Sequence, residues 1–133
     1  KSRTSSQVIY SINSTDMDAL AMVNVPLFDW VVENICKNAV DAMSGTGRID
    51  VNISTEADKV YIDIQDTGKG IAPSKQKTVF KPGYTTKKRG WGLGLSLAKR
   101  IIEEYHNGKV FVKESAIDKG TTFRIMLRGG ESV

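Results

Sequence analysis

Cysteine is almost absent from this 133-residue chain: Cys36 stands alone, so no internal disulfide can form. A lone thiol fits a reducing compartment, and a cytoplasmic location is expected. With a single histidine, His106, the chain also lacks the cysteine–histidine clusters that bind zinc. No apolar run approaches the roughly 20 residues that cross a bilayer. No membrane contact is therefore expected of this stretch, whether or not a larger parent protein is membrane-anchored. Internal repeats and low-complexity tracts are missing too. What remains, 40% hydrophobic and 26% charged residues, is the make-up of an ordinary globular protein. The length suits a single domain over residues 1–133 with a real core, and not two.

Negative charge has a gap. Between Asp66 and Glu103 no acidic residue occurs, while Lys69, Lys75, Lys77, Lys81, Lys87, Lys88, Arg89, Lys99 and Arg100 all fall there. The net charge is only +4, so positive charge is concentrated in this stretch. A solvated basic face, a polyphosphate site and a nucleic-acid surface all fit that distribution. The stretch has few aromatics to stack bases and no nucleic-acid motif, so no nucleic-acid partner is expected.

Read along the chain, QVIYSIN (7–13) alternates loosely as a strand, and ALAMVN (19–24) is a second short candidate. Residues 26–43 read as a helix with proline in its first turn, stopped by SGTG. RIDVNIST and KVYIDIQD alternate as a hairpin around Glu56–Asp58. A Gly/Pro/Lys-rich loop over 67–91 is long for a compact domain, and such loops often act as lids. A helix over about 93–106 follows, then the strands KVFVKES and TTFRIMLR across an AIDKG turn. Segregated helices and hairpins predict an α+β sandwich, with helices on one face of a mixed sheet.

The first helix carries a misplaced amide. On a wheel at about 100° per residue, the apolar arc runs from Leu27 through Val31, Ile35 and Ala39 to Met43 and Cys36. Asn38 falls inside that arc, and Asn34 and Asp41 lie at its edge. A half-buried amide without a partner costs about 1–3 kcal/mol. A backbone carbonyl or buried water would satisfy Asn38. So would a cavity in which its amide oxygen holds a hard cation. Lys37, further round the polar side, could reach an anion there.

Three other stretches suggest chemistry. In DIQDTGKGI, Asp66 ends a strand and could accept from an exocyclic amine, while Gly68 and Gly70 would let a flat ring approach the backbone. An ordinary Asp–Thr–Gly turn would also explain that run. In DKGTTF, Thr121 and Phe123 share a strand face, so Thr121 could bond a ring nitrogen directly or through water. In TTKKRGWGLGLSLAKRIIEEY, basic residues and alternating glycines run into a helix start, a natural seat for phosphate.

The order of these motifs resembles the gyrase, heat-shock chaperone, histidine kinase and mismatch-repair ATP-binding superfamily. NICKNAVDA is similar to its asparagine box, DTGKGI to its first glycine box, GWGLGLSLAKRIIE to its second and GTTF to its third. VFKPGYTTK is similar to the phenylalanine box in the ATP lid of sensor histidine kinases. The resemblance covers about residues 30 to 127. It implies a two-layer sandwich of Bergerat type, helices over a mixed, mainly antiparallel sheet, with ATP and Mg2+ between helix and the 67–91 lid. It implies that Asn38 binds magnesium and that Asp66 reads the adenine amine, with Gly68, Gly70 and Ile71 beside the base. Gly92, Leu93 and Gly94 would wrap the phosphates next to Leu95. Tyr84, Thr85, Thr86, Lys87 and Gly90 would act from the lid, and Thr121 from the last box.

The superfamily's ATPases have a glutamate four residues before the magnesium asparagine, where it activates water. Here that position is Asn34, as in histidine kinases. Glu33 lies about 100° away round the helix and should not substitute. Slow hydrolysis and transfer to an external acceptor are expected, with Asn34, Lys37 and Asn38 at the reacting end. One departure is Asp41–Ala42, where many histidine kinases have a basic residue and a tyrosine. His106, at a helix end before Asn-Gly, is expected to meet the helix dipole and not to accept phosphate. The resemblance therefore implies the catalytic fragment of a larger, homodimeric sensor kinase. Its partners would be a histidine-bearing dimerisation domain and a response regulator. An ATPase, a protein-serine kinase or a non-catalytic nucleotide sensor are the alternatives.

Overall fold

The computed structural model describes residues 7–14, 23–82 and 94–129. Strand β1 (Gln7–Ser14) leads to helix α1 (Val25–Ala42), then to strands β2 (Thr46–Glu56) and β3 (Lys59–Asp66). Helix α2 (Gly94–Arg100) runs into a single π-helical turn, Ile101–Tyr105, before strands β4 (Lys109–Ala116) and β5 (Gly120–Arg128). The sheet order is β1-β2-β3-β5-β4. β1 pairs with β2 in parallel, and the other three pairings are antiparallel. The fold is the expected α+β sandwich on a mixed, mainly antiparallel sheet.

Helix α1 forms where its caps allow. The side chain of Asn24 accepts from the Leu27 amide at 3.1 Å, and Pro26 sits where no intrahelical amide is needed. Of the second strand candidate only Val23 and Asn24 are described: Asn24 is extended but pairs with no strand and caps the helix instead, and 19–22 lie outside the described residues. Of the predicted apolar arc, Val31, Ile35, Ala39 and Met43 are buried, with Phe28, Val32 and Cys36 packed at the rim. They meet Ile49, Ile64 and Ile125 of the sheet and Ile102 of the π-helical turn. Burying one such aliphatic side chain stabilises the fold by about 1.5–3 kcal/mol.

The opposite sheet face holds an ion cluster instead of helices. Asp63 accepts from Arg124 at 2.7 and 2.9 Å and from Lys113 at 3.3 Å, while the Arg124 guanidinium lies 4.5 Å over the Tyr61 ring. The loop after β3 is shaped by two 3-10 turns, Pro73–Lys75 and Thr78–Phe80. Phe80 fastens it to the sheet, edge-on against Phe123 with ring centroids 6.0 Å apart.

Helix-end His106 corrects the dipole expectation. It is buried, and its Nε2 accepts the Asn24 backbone amide at 3.0 Å. An amide can only donate, so the ring proton sits on Nδ1 and goes to the Ile101 carbonyl at 2.9 Å. A neutral ring with both nitrogens engaged offers no cation to the helix end. His106 instead ties the cap of α1 to the end of the π-helical turn.

Candidate nucleotide site

Asp66 is the anchor of the candidate site. The residue ends a central strand and is only 2% exposed. Oδ1 accepts from the Gly68 amide at 2.8 Å and from the Thr121 amide at 3.2 Å. Oδ2 receives no hydrogen bond from a described residue. Burial pushes the Asp66 carboxyl above the usual range, and the two amide donors pull part of the way back. A buried carboxylate oxygen without a donor is costly on its own, and suits a ligand that brings N–H groups.

The turn after Asp66 is held from both sides. Lys69 donates its amide to the Ala42 carbonyl at the end of α1, at 3.0 Å, and offers its own carbonyl to the Asp118 amide at 2.8 Å. Gly68 lies so close to α1 that a Cβ there would sit 2.7 Å from the Ala42 oxygen. At Gly70, φ is +77° and a Cβ would sit 2.0 Å from the Ala116 carbonyl oxygen, so only glycine fits. Ile71 then donates its amide to the Ser115 hydroxyl at 2.7 Å. Ser115 also contacts Thr121 Oγ1 at 2.7 Å.

On the helical side, Asn34 donates Nδ2 to the Trp30 carbonyl at 2.8 Å. Its Oδ1 lies 3.0 Å from where a Cβ on Gly94 would stand, so the start of α2 abuts Asn34. Asn38 is half-buried one turn on, whereas Glu33 and Lys37 are exposed. Leu95 is half-buried at the start of α2.

The structure thus brings Asp66, Gly68, Gly70, Ile71 and Thr121 into one hydrogen-bonded corner, and sets Asn34 against Gly94. Lys37 points away from the buried face. Tyr84, Thr85, Thr86, Lys87, Gly90, Gly92 and Leu93 lie outside the described residues. Among the described residues no three His, Cys, Asp or Glu side chains cluster as a metal site. Ser115 is the residue that sequence reading missed. Its signal is the polar pair Lys113–Glu114, which breaks the alternation of β4.

Helices over a mixed sheet, five-stranded among the described residues, with a buried aspartate leading into a glycine turn, make this a sandwich of the Bergerat type. The chain belongs to the histidine kinase-, DNA gyrase B- and HSP90-like ATPase family, whose pattern matches residues 24–130. It is 46% identical to sporulation kinase E of Bacillus subtilis over 95 residues, 71% of this chain and 13% of that protein. It is 42% identical to the sensor histidine kinase ZraS of Salmonella typhimurium over 98 residues, 73% of this chain and 21% of that protein. The chain therefore spans about a fifth or less of the length of these relatives. Among solved structures, a nucleotide-free catalytic domain of the histidine kinase ThkA superposes with a TM-score of 0.81 and 26% identity, covering 91% of this chain and 78% of that one. Full-length ShkA with AMPPNP shares the fold at a TM-score of 0.82 and 20% identity, covering 95% of this chain and 26% of that one.

Proposed function

We propose that this chain is the ATP-binding catalytic domain of a sensor histidine kinase, passing the γ-phosphoryl of ATP to a histidine on a separate dimerisation domain. The carrying observation is the buried Oδ2 of Asp66, an acceptor with no donor from a described residue and an adenine amine as its natural partner. Gly68 and Gly70, where any side chain would strike the backbone of Ala42 and Ala116, pack the turn against α1 and the end of β4 and so fix the Asp66 carboxyl where a base would meet it.

At the phosphate end, Gly92, Leu93 and Gly94 would offer backbone amides at the start of α2. Lys37 and the lid residues Lys87, Lys88 and Arg89 would supply cations, with Tyr84, Thr85, Thr86 and Gly90 shaping the 67–91 lid. Magnesium would be held through Asn38, phosphate oxygens and water, because Mg2+ commonly takes only one or two protein ligands. Bound there, it would offset charge on the β and γ oxygens. Asn34 stands where a water-activating glutamate would be needed, and Glu33 is exposed. Hydrolysis is then slow, and positioning with electrostatics does the rest. The parent protein would be a homodimer that phosphorylates a response regulator. A cytoplasmic place for this domain fits the lone, half-buried Cys36.

The test is transfer in trans. The chain is incubated with γ-labelled ATP, magnesium and the histidine-bearing segment of its parent protein. Label that is acid-labile and alkali-stable on that segment supports the reading. Label on serine, or phosphate released to water at a comparable rate, overturns it.

A further inference from the structure

Strand β4 shifts register once, between Val112 and Glu114. Before the shift, Val110 and Val112 face the helices opposite Ile125 and Phe123. Unbroken alternation would carry Glu114 and Ala116 inward and turn Ser115 outward. The extra residue, Lys113, reverses this. Ser115 comes opposite Thr121, on the face of Phe123 and Ile125, while Lys113 reaches Asp63 on the far side. Bulges re-aim side chains in this way, often beside active sites.

The bulge brings Ser115 Oγ against three groups: the Ile71 amide at 2.7 Å, the Gly120 carbonyl at 3.1 Å and Thr121 Oγ1 at 2.7 Å. A serine hydroxyl has one hydrogen. The Ile71 amide must donate to it, so that hydrogen goes either to Gly120 or to Thr121. If it goes to Gly120, Thr121 gives its own hydrogen to Ser115 and offers a ligand only lone pairs. If it goes to Thr121, the shorter contact, the Thr121 hydrogen is released toward a ligand.

We propose that Ser115 is a positioning residue for base recognition: it orients the Thr121 hydroxyl as a donor to a ring nitrogen of adenine, N1, beside the Asp66 acceptor for the amine. The proposal rests on the nucleotide reading above and names a residue outside its motifs. Donor and acceptor side by side match adenine, whereas a base with N1–H and a carbonyl meets the wrong polarity at both groups.

The test is a cycle on this chain, with ADP and 1-deaza-ADP, in which N1 is a C–H, as titrants in a calorimeter. The wild type should bind ADP more tightly than 1-deaza-ADP. Ser115→Ala should weaken ADP roughly three- to tenfold, the worth of one neutral hydrogen bond, and leave 1-deaza-ADP nearly unchanged. Ser115→Thr, which keeps the hydroxyl on a strand-compatible side chain, should bind ADP within about twofold of wild type. Equal weakening of both ligands means only that the Ile71 loop is disturbed, and overturns the proposal. So does an unweakened Ser115→Ala, or a wild type that binds both ligands alike. A wild type that binds no adenine nucleotide overturns the nucleotide reading as well.

Discussion

The amide of Thr121 reaches Oδ1 of Asp66 at 3.2 Å across 55 positions of sequence. That contact joins the end of β3 to the start of β5, and on the proposed reading the other carboxylate oxygen meets the base. Asp66→Asn keeps an acceptor for both amides but removes the charge. It should lower ATP affinity by about 1.5–3 kcal/mol, the worth of a charge-assisted hydrogen bond. Burial raises the folded pKa above 3.8, so the folded state takes up a proton more readily than the unfolded one. The neutral carboxyl's contribution to stability is complete below 3.8 and fades as pH rises through the folded value. The variant's melting temperature at pH 7 should therefore equal or exceed that of wild type. Titrations of both folded proteins with AMPPNP check the affinity, and equal values would remove Asp66 from the site.

Asp63 behaves oppositely. Burial alone would raise its pKa, but the Arg124 bonds and charge, helped by Lys113, hold it below 3.8. Its contribution to stability is present above 3.8 and is lost as pH falls toward the folded value. Arg124→Ala should destabilise the domain by about 1.5–3 kcal/mol at pH 7, with a smaller effect as pH falls below 3.8. Urea unfolding on the two sides of that value measures the difference, and an equal loss at both would refute the charge account.

Gly120 has φ of +99°, and a Cβ there would meet the Asp66 carbonyl oxygen at 2.1 Å. Gly120→Ala should cost more than about 2 kcal/mol, since left-handed strain and a backbone clash add. Chemical denaturation gives the number. A near-neutral result would mean that the turn relaxes freely.

Asn38→Ala should abolish magnesium-dependent phosphoryl transfer while changing stability by no more than about 1–2 kcal/mol. Magnesium-free ADP binding should survive, because the proposed base contacts lie elsewhere. Transfer that persists in the variant would release Asn38 from the metal role.

His106→Ala strands the Asn24 amide and opens a small cavity. A loss of about 1–3 kcal/mol is expected, read as a lower melting temperature. Phosphoryl transfer in trans, measured well below that temperature, should be unchanged. Loss of transfer from the folded variant would give His106 a chemical role.

Helix α1 is readable from sequence because its signals are local: a proline in the first turn and an apolar arc at helical spacing. The Asp66 turn is readable because aspartate and glycine announce it within five residues. What escapes is decided at a distance. The role of His106 depends on an amide 82 positions away, and no periodicity carries that information. Reading ALAMVN as a strand overlooks what the Asn24 side chain does for the Leu27 amide three residues later. The placing of Ser115 turns on a single extra residue in β4, which exchanges the two faces of everything after it. Lys113 itself is drawn to Asp63, and that partner is likewise fifty positions off.

The sheet order sets β3 and β5 side by side, with paired neighbours on their outer flanks. Asp66 and Thr121 are thus expected to belong to the part of the domain that opens last, when the whole chain unfolds. Amides there should exchange with solvent only through global unfolding, so if this pair chooses the base as proposed, its selectivity is tied to the fold's own cooperativity. Elements at the margin of the sandwich carry no such burden. On the proposed reading, the grip on the phosphate tail could then change while the way of choosing the base stays fixed.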